Sequence, residues 1–219
     1  MAHIWLEVLQ RTYEAGELFT LGLHPERIEP CEDALRAVLA KARSLSPSVW
    51  IARLDEIADW WRVRAEATYR VAREGEGVFR LTVDGPVGTT ILARDVSIEA
   101  PTTSWTGDYT RVLTNDFVFR ADRLPLVGVS VDSPDSLVSF LRQQGYLVDR
   151  SMDARACAFY IDRREFTRED ERTILEEVTR GSWPLLRLGR WPHGARSALS
   201  VTGDIDALTL WDYGLRFFG

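Results

Sequence analysis

The sequence predicts a chain of mixed class, α/β at its start and α+β towards its end, with a small antiparallel β region between. Three observations carry this. Residues 1–66 alternate short apolar runs with stretches of helical apolar spacing, the pattern of a parallel sheet or barrel. Residues 67–130 change to period-two alternation broken by turn residues. Residues 131–219 return to capped helices between strands and end in a tail that contains "TGDID".

In the first region "VLQRTYEAG" has helical character and stops at Gly16. "LFTLGL" is a short apolar run of buried-strand type. It leads into the proline-bounded loop "HPERIEP". "CEDALRAVLAKARS" carries Leu35, Val38, Leu39 and Ala42 at i, i+3, i+4 and i+7, one face of a helix. "SVWIA" reads as a second strand. "RLDEIADWWRVRAEA" reads as a helix with Leu54, Ile57 and Trp61 on one face. Trp61 is assigned to the core and Trp60 is left open.

In the second region "VFRLTV" places Phe79, Leu81 and Val83 on one face of a strand. "DGPVG" supplies a turn, and "TTILARDVSIEA", "DFVFRA" and "LVGVSV" continue in extended form. In the third, Ser133 reads as an N-cap with Pro134 at the first helical position. Leu137, Phe140 and Leu141 form its apolar stripe, and Gly145 ends it. "CAFYI" is a strand. "TREDERTILEEVTRG" is a helix capped by Thr167 with Asp170 three residues on, closed by Gly181. "PLLRLGRW" is extended, and "ARSALSVTGDIDALTL" is a strand that ends at two acids. Consecutive elements usually pack together, so this last strand is expected on the region of residues 131–190, away from the first strand.

Composition narrows the function classes. A net charge of −6 weighs against a nucleic-acid partner, because a phosphate backbone needs a basic face. Only Lys41 among the 27 basic residues is lysine, which reads as a bias towards arginine codons. Cys31 and Cys157 have no Cys or His neighbour at ligand spacing, so each is expected as a buried free thiol. No run is long and apolar enough to span a membrane, and the start lacks the order of a signal peptide. As written, the chain reads as cytoplasmic.

Few residues can carry chemistry. His24 follows an apolar strand-like run, and the carboxyl end of a strand is where α/β layers place functional groups. A lone His before a proline is more often a turn or packing residue, because one His specifies no mechanism. Asp204 and Asp206 flank Ile205, so on a strand both carboxylates face one side and would share a proton or hold a cation. A polar loop that caps the next turn fits them as well. His193 reads as a surface residue near a turn. His3, His24 and His193 supply no pair at helical metal-ligand spacing. A G-x-S-x-G elbow and a Gly-rich phosphate loop are both absent from the sequence.

Two stretches resemble the NodB-type polysaccharide deacetylase family. "LGLHP", Leu21 to Pro25, is similar to the motif that ends a late barrel strand there. "VWIARLDEIADWW", Val49 to Trp61, resembles the strand and helix that follow, so the likeness covers about residues 8–64. "TGDID", Thr202 to Asp206, with the run-in "WPHGARSALSV", is similar to the family's first strand. The resemblance implies a partial NodB-like α/β barrel end at residues 1–66, a β-rich region at 67–130 and an α+β region at 131–219. It implies Asp204 as catalytic base, His24 as general acid and Asp206 as a metal ligand. The family uses a divalent metal, zinc or similar, to hydrolyse N-acetyl groups on carbohydrate. The family's His-x-x-x-His metal motif is absent and the two motifs stand in inverted order. The expectation is therefore a fragment or rearranged domain that binds metal weakly or not at all, completed by a missing N-terminal portion or another chain. A non-catalytic glycan- or partner-binding module, or an amidohydrolase acting on a small C–N substrate, would fit the same residues.

Overall fold

The computed structural model describes residues 1–24 and 29–203. The chain divides into two compact units. One is built from Met1–Asp59 together with the stretch from Ala195 onward; the other is Trp60–Gly194. Mixed α/β architecture is present as expected, and the described residues form no closed barrel.

The first unit is a small α/β layer. Helix α1 (Ala2–Ala15) ends at Gly16, whose φ of 70° is the left-handed turn that glycine adopts without steric cost. Strand β1 (Leu18–Leu23) follows, then α2 (Glu32–Ser44) and β2 (Val49–Ile51). The sheet is completed by the last described strand, β14 (Ser197–Gly203), in the order β1-β14-β2 with all pairs parallel. Phe19, Leu21, Val49 and Leu199 share a buried cluster with Leu9 and Tyr13 of α1 and Val38 and Ala42 of α2. That is one apolar sheet face under two apolar helix faces. The expectation that the tail strand packs on residues 131–190 is therefore overturned. β14 is the centre of the first unit, paired with β1 from Leu18↔Ala198 to Leu23↔Gly203. β1 and β2 each gain their parallel partner from β14, which also completes the buried face, and that outweighs sequence adjacency.

The second unit holds the antiparallel part of the chain. Strands β3 (Thr68–Gly75), β4 (Val78–Asp84), β6 (Ser97–Glu99) and β9 (Asp116–Arg120) form one sheet in the order β3-β4-β9-β6. Strands β5 (Ile91–Arg94), β7 (Thr102–Thr106), β8 (Tyr109–Val112) and β13 (Leu185–Leu188) form another, β13-β5-β8-β7. Leu81 and Val83 are buried on the face that alternation predicts, with Phe117, Phe119, Ile91 and Leu186 in the same core. β10 (Leu124–Ser130) sits between β11 (Val148–Ser151) and β12 (Cys157–Ile161) in a parallel sheet. Helices α4 (Asp135–Gln143) and α5 (Glu171–Arg180) bury Leu137, Leu141, Ile174 and Val178 against Val127 and Val129.

Local readings differ from the structure at two places, and the closure of α5 at Gly181 holds. The N-cap of α4 is Pro134, not Ser133; the Ser133 hydroxyl accepts from the Arg163 N–H at 3.2 Å instead. Gly181 closes α5 with extended backbone, φ −81°; it is small because a Cβ there would lie 1.9 Å from the Trp183 ring. Of the tryptophan pair, Trp60 is the buried one, its indole N–H donating to the Arg190 carbonyl at 2.9 Å, while Trp61 is half-buried.

Arginine closes the helices. The last carbonyls of a helix have no partner within it, and a cation there also meets the negative end of the helix dipole. Arg196 donates to the carbonyls of Tyr13 and Glu14 at the end of α1, both at 2.9 Å. Arg64 donates to Gln143 O at 3.3 Å and Arg187 to Gln144 O at 2.9 Å, at the end of α4. Arg94 reaches Thr179 O at 3.3 Å at the end of α5 and binds Trp183 O beyond it. No helix among the described residues is long and apolar enough to cross a membrane.

β14 offers a direct contrast. Leu199 is fully buried in the apolar cluster, so Leu199→Ala should cost roughly 2–5 kcal/mol through lost burial and a cavity. The next residue, Ser200, is as deeply buried, and its hydroxyl has no hydrogen-bond partner among the described residues. Ser200→Ala should then be neutral or stabilising by up to about 1 kcal/mol. Urea unfolding of the two variants checks both values; a large loss at Ser200 would mean that its hydroxyl is engaged.

Candidate functional site

Gly22 pairs with Thr202 and Leu23 with Gly203, the last residue of β14 that is described, so the carboxyl end of β1 lies beside it. His24 is the first residue after β1 and is half-buried. The strand stops there because its buried alternation, Phe19, Leu21 and Leu23, has run its length and Pro25 follows in sequence. Asp204 and Asp206 lie outside the described residues; in sequence Asp204 follows Gly203 directly. A histidine placed at the end of a strand acts as one of an acid–base pair only with a second polar group beside the same reacting atom.

The resemblance implies a divalent metal held in part by this chain. Among the described residues no group of three His, Cys, Asp or Glu side chains comes together in a way that could hold an ion. Its implied ligand Asp206 lies outside the described residues. His3 belongs to α1, and His193 belongs to the other unit, exposed in a turn at Pro192–Gly194 with a φ of 57°. The His193 backbone is used structurally: its N–H donates to Gly88 O at 2.7 Å, and its carbonyl accepts from Arg111 at 2.9 Å.

A concavity of about 980 Å3 belongs wholly to the Trp60–Gly194 unit and is bordered by the β3–β4, β5–β6, β7–β8 and β9–β10 connections. Glu76, Asp95, Asp108 and Asp122 bring four carboxylates to it, and Arg120 and Arg123 two guanidinium groups. Asp95 holds a positive φ of 52°, a conformation that Asp tolerates better than most residues. Among the described residues no aromatic ring lines it. The sequence reads through Asp95 as extended chain, and nothing local tells that these four connections gather at one end.

Several buried groups have shifted titration. Burial pushes the Cys157 thiol up to about 11, with Asp149 and Asp153 adding to the shift. Burial likewise raises the phenols of Tyr69 and Tyr109 above their ordinary value, and that of Tyr13 as well. Tyr69 donates to Val148 O at 2.6 Å and accepts from Val148 N–H at 2.8 Å. Tyr109 lies 5.5 Å from the Arg94 guanidinium and 5.8 Å from that of Arg187. Burial lowers Arg64 to about 10, helped by the like charges of Arg190 and Arg187. In each case burial is the largest cause of the shift. Cys157 is buried as the sequence suggests; Cys31 is only half-buried.

Comparison of the chain with protein-family models, with curated proteins and with solved structures finds no match.

Two measurements follow from the shifted groups. At pH 8 a thiol reagent such as a disulfide dye should modify Cys31 readily and Cys157 only on unfolding, because a buried thiol near 11 carries little thiolate. Two equally fast thiols would contradict the burial of Cys157. In an alkaline titration read at 295 nm, part of the tyrosinate signal should appear only well above pH 10. The unfolded chain gives up these phenolic protons first, so the stability they contribute is whole below about pH 10 and is lost as the pH climbs through the raised folded values. A single titration of all tyrosines at their ordinary value would refute the burial.

Proposed function

We propose that this chain is part of a polysaccharide deacetylase-like protein, related to the metal-dependent hydrolysis of N-acetyl groups on carbohydrate and incomplete as a catalyst alone. In this reading the three-stranded layer is the end of an incomplete NodB-like barrel. The observation that carries it is the parallel pairing of β1 with β14 up to Leu23↔Gly203. The two stretches that resemble opposite ends of that domain, "LGLHP" and "TGDID", are distant in sequence yet belong to neighbouring strands. His24 and Asp204 are the residues that follow those paired ends. His24 serves as the general acid that protonates the leaving amine, and Asp204 as the base that takes a proton from water. Asp206 is the ligand this chain would give to a divalent ion, and the ion, when bound, would polarise the acetamide carbonyl. The remaining ligands come from a further segment or another chain.

The test is a titration of isotope-labelled protein with N-acetylated chito-oligosaccharide, followed by amide shifts. Perturbations should cluster at Leu21–His24 and from Thr202 onward. His24→Ala and Asp204→Asn should each weaken binding about tenfold, the scale of one hydrogen bond to a charged group. Shifts confined to residues 60–194 would favour a glycan-binding accessory module instead. A response to small amides but not to the sugar would favour an amidohydrolase. No response at either strand end would sink the proposal.

A further inference from the structure

We draw no further inference here: the strongest candidate, the cleft of about 980 Å3 bordered by the turns of the two antiparallel sheets and carrying Glu76, Asp95, Asp108 and Asp122, is an acidic cluster at which no second observation among the described residues points to a ligand.

Discussion

A parallel strand cannot stand alone, and the first unit is organised around the one that satisfies the other two. Between β1 and β2 there is a gap one strand wide, and β14 fills it with backbone hydrogen bonds on both sides. Its alternate side chains, Leu199 among them, complete the apolar face under α1 and α2. Without β14, β1 and β2 would each present unpaired amide and carbonyl groups, and the helices would cover half a core. The level at which β1 and β14 end also sets where His24 stands. Fold and candidate site in this unit therefore rest on the same ladder.

The arginines do a second kind of work. Side chains that a sequence reading treats as solvated charge are spent on main-chain carbonyls at the ends of α1, α4 and α5. A guanidinium suits this because its planar fork offers five N–H groups and keeps its charge when partly desolvated. Several of the same groups pack over rings: Arg196 is 4.8 Å from Tyr13, Arg64 4.9 Å from Trp61, Arg187 5.1 Å from Tyr146. Lysine, a compact and strongly hydrated charge, could not bridge two carbonyls and lie flat on a ring at once. Arg64 marks the limit of the device, since burial, with the like charges of Arg190 and Arg187 adding to it, depresses its proton affinity.

What was legible in the sequence was local. The stop at Gly16, the buried face of Leu81 and Val83, and the pairing of Thr167 with Asp170 each depend on residues within one turn or one strand. His24 was legible in the same way, as the residue after an apolar run. The misreadings share a different cause. Ser133 gave up the cap because Arg163 offers it a donor from thirty residues away, and Trp60 rather than Trp61 is buried because the carbonyl of Arg190 lies within its reach. The partner of β14 was missed because proximity along the chain is a poor guide when a whole unit intervenes. The turn-end cleft of the other unit was invisible for the same reason.

That intervening unit has a consequence for how the molecule is made. Residues 60–194 interrupt the first unit in sequence, and they form a compact body with its own core. On a ribosome β1 and β2 emerge early, and β14 follows only after the whole of that body. At ordinary elongation rates the interval is on the order of ten seconds, far longer than helices and hairpins need to form. The inserted body can therefore fold first, while the segments that will flank β14 wait with open edges and an exposed apolar face. Nascent chains stalled within residues 60–194 are the species for which a cell's chaperones would be needed most.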